Sequence, residues 1–318
     1  MKEYKTFNQQ LAILRKRGLI VPTDGKPKRF LEQENYYNVI NGYKDLFLQK
    51  DNQNRVNIPE SYLPNTHFDE LKLLFLFDRE LRILFLKHIL IFENSLKTLI
   101  SHEFTKKYPK ENSYLDIHNY VNNDPKKVLH QISILTKTIH DKIDKEGAIK
   151  HYIEEYGAVP LWVLVNYLTI GNLAHLYSVM KDADRNTIAE YYSNKYNKQN
   201  NPNPILKISS EDFKSGVKIL NLVRNQCAHD ERLYNSRFKD VRIHTISSHF
   251  GLKSIKNNSL FVAILYLKVL LDKKYYKSFH SELTAMLDKY QGRFKTVKFD
   301  DILQIMGISM HSLDLLKL

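Results

Sequence analysis

Apolar residues recur along most of this chain at the three- and four-residue spacing of a helix face, and nowhere convincingly at the two-residue spacing of a strand. Phe7, Leu11 and Leu14, followed by Gly18, mark a short first helix closed by a glycine. A basic loop over 21–30 leads to a second helix from about Leu31 to Leu48, carrying Tyr36, Tyr37, Ile40 and Tyr43, and then to the polar connector QKDNQNRVNIPE. The longest signal runs from Phe68 to Lys107, and its length allows a break near Ser101–His102. Between 71 and 92 it is apolar on nearly all sides, which predicts a central helix. Asp124 and Pro125 read as the N-cap and first residue of a helix with Leu129, Ile132, Leu135, Ile139 and Ile143 on one face. The stretch VPLWVLVNYLTIGNLAHLYSVM reads as a helix interrupted at Gly171. After the polar linker NKYNKQNNPNPIL, Ser209 or Ser210 caps a helix whose first turn places Glu211 and Asp212 at the positive end of the dipole. Two further helices, SLFVAILYLKVLL and SFHSELTAMLDKYQ, precede two short terminal turns, and the one candidate for a short strand lies near 241–246.

Composition agrees with an all-α class. Only 10 glycines and 9 prolines occur in 318 residues, and 43% of the residues are hydrophobic. That is a globular chain with few turns, long enough for one large domain or two small ones. A single cysteine excludes an internal disulfide and a cysteine-based zinc site, and points to a reducing compartment, the cytoplasm. The opening MKEYKTFNQQ lacks the apolar run of a signal peptide. The greasiest run, Leu71 to Phe92, contains Asp78, Arg79, Glu80, Arg82 and Lys87. A bilayer centre would penalise Asp, Arg and Lys by roughly 2.5–3.5 kcal/mol each, so this is a core helix and not a membrane span.

Charge changes the picture further. The net +13 is uneven: residues 1–30 carry +6, residues 234–318 carry +7, and the middle is neutral. Basic ends flanking a neutral centre suit a polyanion; an ordinary solvated surface is the alternative. The cations that would meet phosphates are Arg15, Lys16, Arg17, Lys26, Lys28, Arg29, Lys273, Lys274, Lys277, Arg293 and Lys295. Tyr36, Tyr37 and Tyr43 either stack on bases or fill the core.

The helix FKSGVKILN runs into LVRNQCAHDERLYN, which crowds Arg224, Asn225 and His229 into six residues. Five residues make about 500° of helix, so Arg224 and His229 diverge by about 140°, whereas Asn225 and His229 share a face. They converge only if the helix ends between them, if the arginine reaches around, or if a second copy approaches across a two-fold axis. Histidine exchanges protons near neutral pH, arginine clamps phosphate, and asparagine orients a hydroxyl. Together they suit cleavage of RNA by its own 2′-hydroxyl, which needs no metal. Cations decorating a helix C-terminus are the alternative. Cys227 reads as packing, and no phosphate-binding glycine loop is present.

The stretch LVRNQCAHDERLYN resembles the motif of HEPN ribonucleases as carried by the Abi abortive-infection family (AbiD/AbiF-like). FNQQLAILRKRGL, YYNVINGYKDLF, FDRELRILFLKHILIFENSLKTLISH, VPLWVLVNYLTIGNLAHLY and IMGI resemble other segments of that family in the same order. The resemblance implies an all-α HEPN-type bundle over 61–240 with helical extensions over 1–60 and 241–318. It also implies a homodimer with facing R-x4-H motifs, metal- and cofactor-independent RNA cleavage in phage defence, and regulation by a structured RNA. Arg224 and His229 carry over from it, with Asn225 beside them. Glu93 and Lys97 match its supporting polar cluster, with lysine where arginine is common. A catalytically inactive protein bound to a structured non-coding RNA is the competing reading.

Overall fold

The computed structural model describes residues 3–252 and 258–317. Among them every regular element is helical, and extended pairings are isolated bridges such as Ile20 with His67. The α-helices are α1 (Phe7–Lys16), α2 (Lys26–Gln33), α3 (Phe68–Lys107), α4 (Pro125–Ile143), α5 (Ala148–Tyr156), α6 (Leu161–Leu164) and α7 (Ile170–Val179). They continue with α8 (Asp182–Asn200), α9 (Ser210–Ala228), α10 (His244–His249), α11 (Phe261–Leu270), α12 (Lys273–Tyr290), α13 (Phe299–Met306) and α14 (Met310–Asp314). The all-α expectation holds.

The 40-residue α3 is the axis of the fold, about 60 Å long at 1.5 Å per residue. Its acidic first turn (Asp69, Glu70) and basic last turn (Lys106, Lys107) both match the helix dipole. It does not break near Ser101, whose hydroxyl donates to the Lys97 carbonyl at 2.8 Å while Leu96, Ile100 and Phe104 remain in the core. Helix α12 lies antiparallel along it: Phe279 meets Phe85 and Tyr290 meets Phe77. Helix α9 packs on another side of α3, with the entirely buried α11 beneath it. Gly216 permits that contact, since a Cβ there would lie 2.5 Å from the Tyr266 ring. Both ends of the chain close on the first half of α3. Phe30 stands edge-on to Phe68 and Phe75, and Phe299 to Phe77. One hydrophobic core extends from Leu11 to Leu316. Among the described residues no helix is long and apolar enough to cross a membrane.

The caps read from sequence are present: Ser209 accepts from the Asp212 N–H in a capping box, and Asp124 from Lys127. Several boundaries differ. The basic loop over 21–30 already contains the start of α2, and the helix expected over 31–48 stops at Gln33. The Asn35 carboxamide accepts the Tyr37 N–H at 2.8 Å and restarts the chain as a π-helical turn, Tyr37–Asn41. The linker expected from Asn194 is helical to Asn200, because Tyr192 and Tyr196 continue the buried face. The break in the tryptophan-bearing segment falls at Leu168, ahead of the Thr169 capping box, and not at Gly171. The buried face of α4 is Val128, Gln131 and Leu135, leaving Leu129 exposed, because Gln131 is turned inward to His175 at 3.0 Å. The strand considered near 241–246 is absent, and α10 begins at His244.

Candidate active site

Helix α9 keeps its geometry through Ala228, and His229 caps it, donating its N–H to the Asn225 carbonyl at 3.0 Å. The following residues, Asp230 to Asn235, turn back onto α3 and are anchored there by one buried carboxylate. Asp78 is fully buried and accepts from the N–H groups of Leu233 (3.0 Å) and Tyr234 (2.7 Å), the Tyr43 hydroxyl (2.7 Å) and Arg82 (2.8 Å). Arg82 reaches on to Asp230 at 2.5 Å. Burial lifts the Asp78 pKa, and the guanidinium, the two amides and the tyrosine hydroxyl oppose that rise. Every partner named is a donor, so the fold is built around the ionised carboxylate. Arg232 adds a clamp, donating to the Gly42 carbonyl at 2.6 Å.

Within one chain the two motif side chains go different ways, as the 140° of helix between them requires. Arg224 leans on α3, where its Nε lies 3.7 Å from Glu93 Oε2. That is too long for a hydrogen bond, and both atoms are buried without a partner. The Arg224 guanidinium makes no hydrogen bond to any described residue, and its side chain is partly exposed. Glu93, 5% exposed, is held by Lys97 at 3.0 Å, one turn further on. Glu93 therefore stands beside the arginine, with Lys97 bound to it. His229 is exposed and opens into a cleft of about 570 Å³ that Arg224 does not line. Asn225 is exposed on the same face of α9 as His229.

A sequence profile of one family, described as Abi-like protein, matches residues 29–235. The chain belongs to the Abi-like protein family. The family match runs from the middle of α2 to the motif loop, and so includes α3, α9, Glu93, Lys97 and the R-x4-H residues of this Abi-like chain. Membership points to a part in abortive infection. No curated protein and no solved structure matches the chain.

Of the cations expected to meet phosphates on this Abi-like protein, all but Arg29 lie outside the matched stretch. Arg15, Lys16, Lys26, Lys28, Arg29, Lys273, Lys274, Lys277, Arg293 and Lys295 are exposed, while Arg17 is partly covered and bound to Glu60 at 2.6 Å. They do not form one surface. Lys273 to Lys277 begin α12 and Arg293 and Lys295 follow its end, so the length of α12, about 27 Å, separates them. Lys295 instead sits at the start of α3, donating its N–H to Glu70 at 2.8 Å. Of the three tyrosines, Tyr43 is buried in the Asp78 network, Tyr36 is half-buried, and Tyr37 is exposed. Cys227 packs as expected: burial pushes its thiol up to about 12, so it is no nucleophile near neutral pH.

The Asp78–Arg82–Asp230 anchor is what reading the sequence missed. Its signal was available: an opposite-charge pair at i, i+4 inside a helix apolar on all sides must be buried with partners. Asp230, 148 residues from Arg82, carries no local sign of that pairing.

Proposed function

We propose that this protein is a metal-independent endoribonuclease of an abortive-infection system. It acts as a homodimer whose facing motifs combine Arg224 of one copy with His229 of the other. The observation that carries this reading is the state of Arg224, a guanidinium with no hydrogen bond beside the buried Glu93, on the helix that His229 caps in an open cleft. In the reaction the 2′-hydroxyl attacks the adjacent phosphorus, forming a 2′,3′-cyclic phosphate and breaking the P–O5′ bond. The hydroxyl proton passes to a base and the leaving O5′ takes one up. His229 is the group that exchanges protons, Arg224 stabilises the charge on phosphorus, and Asn225 aligns the ribose. A bound structured RNA would hold the enzyme in check in the cytoplasm.

The test is cleavage by the purified protein in EDTA. RNA should be cut to 2′,3′-cyclic phosphate and 5′-hydroxyl ends, and a 2′-deoxy substitution at the cut site should block it. Dependence on added Mg²⁺, or cleavage through a 2′-deoxy site, would refute the mechanism. The divergence of Arg224 and His229 within one chain favours a second reading, an inactive RNA-binding protein in complex with a structured RNA. Absence of cleavage together with co-purification of a defined RNA would decide for it.

Both readings require phosphate contacts. Charge reversal of Lys26, Lys28 and Arg29, or of Lys273, Lys274 and Lys277, is expected to weaken RNA binding. Each lost contact should flatten the salt dependence by roughly 0.7–0.9 log units per log unit of salt. Binding measured across a salt series checks this; an unchanged affinity and slope in both triple variants would make the basic ends plain solvated surface.

A further inference from the structure

The cleft that receives His229 is lined by groups that the proton-transfer chemistry does not use. Tyr37 stands in it, 69% exposed, at the start of the π-helical turn. Asn38 and Asn41, on the same turn, also line it. The turn is firmly seated, since Val39 and Ile40 between them are wholly buried and the Asn35 carboxamide holds the Tyr37 N–H. A rigid support thus presents an aromatic ring to water with little packing return, and π turns recur at functional sites. Beside the ring are two carboxamides, each with donors and an acceptor. Also in the cleft, Arg237 donates to the backbone carbonyls of Ser236 (2.8 Å) and Ile305 (3.1 Å) and has no carboxylate partner among the described residues. Asp230 is neutralised by Arg82, which leaves Glu231 as an exposed carboxylate able to accept from an amino group.

A ring, amides, a cation and an acceptor in one cleft match the parts of a nucleotide. We infer that this cleft holds one unpaired base of an RNA strand, stacked on Tyr37, with its edge toward Asn38 and Asn41 and its phosphate on Arg237. The inference rests on the ribonuclease reading only in placing that nucleotide next to the reacting phosphate; the binding itself requires no cleavage.

The test therefore separates the two. A single-stranded RNA of about twelve nucleotides, carrying 2′-fluoro groups and a fluorescent label, lacks the nucleophile and reports binding alone. Tyr37→Ala and Tyr37→Leu are each expected to weaken its binding by about 10- to 100-fold, because a stacked base is lost and Leu restores bulk but no ring. Tyr37→Phe and Tyr37→Trp should stay within about twofold of the parent. Arg237→Gln should reduce the salt slope by about 0.7. All five proteins should melt together, since neither Tyr37 nor Arg237 is buried. Parental affinity in Tyr37→Ala or Tyr37→Leu overturns the inference, as does failure of the parent to bind. Displacement of the strand by an equal concentration of a nucleoside monophosphate overturns it too, making the occupant a free nucleotide. If ordinary RNA goes uncut while the Tyr37 dependence holds, the ribonuclease reading falls and this one stands.

Discussion

Arg224→Ala and His229→Ala are each expected to remove RNA cleavage and cellular toxicity while melting with the parent chain. The loss should be at least the roughly 10²–10⁴-fold that a positioned proton-transfer group contributes. The stability half follows from the contacts. Arg224 makes no hydrogen bond that the fold depends on, and Glu93 keeps Lys97 at 3.0 Å when the arginine is gone. His229 serves the helix end through its backbone N–H, which alanine retains. Single-turnover cleavage beside a thermal melt separates the two effects. Wild-type turnover in either folded variant would end the catalytic assignment. In the proposed dimer each complete site would draw one residue from each copy, so mixing the two inactive variants should restore activity at one of the two sites in a mixed dimer. A chain that assembled its site alone would show no such rescue.

The same geometry explains how far the sequence could be read. Most helix faces, the Ser209 and Asp124 caps and the central position of α3 depend on neighbours three or four residues apart, and these were plain; the face of α4, with polar Gln131 turned inward and Leu129 outward, was not. So was the 140° divergence of Arg224 and His229, a property of the helix itself. The π-helical turn was not. YYNVINGY reads as one amphipathic helix, and only the Asn35 cap and the seat of Val39 and Ile40 on α3 decide that Tyr43 is buried while Tyr37 is exposed. The continuation of α8 to Asn200 was hidden in the same way, because Tyr196 counts as apolar only once the core it enters is known. The charged residues of Leu71–Phe92 were read as objections to a membrane span. Their second meaning, a carboxylate reserved for the motif loop, depends on a partner segment 155 residues away.

That carboxylate leads to the largest expected change in stability. Asp78→Ala should destabilise the protein by roughly 3–5 kcal/mol, the cost of leaving one member of a buried ion pair without the other. Arg82, 3% exposed, would lose its fully buried acceptor and keep only the exposed Asp230 as a carboxylate partner, and the N–H groups of Leu233 and Tyr234 and the Tyr43 hydroxyl would lose theirs. Asp78→Asn is the sharper probe. It keeps the volume, but its carboxamide has one oxygen where the native side chain uses two, and it turns a donor toward Arg82 or a backbone N–H. Both variants should lower the melting temperature by roughly 5–10 °C. Cleavage should fall even where the chain remains folded, because Asp230 to Asn235 lose the anchor that seats His229 over its cleft. The double variant Asp78→Ala with Arg82→Ala should cost less than the sum of the singles, since the stranded charge is removed as well. An Asp78→Asn protein that melts with the parent would show that the network is not what holds the motif loop. Full additivity in the double variant would show that the two charges act independently.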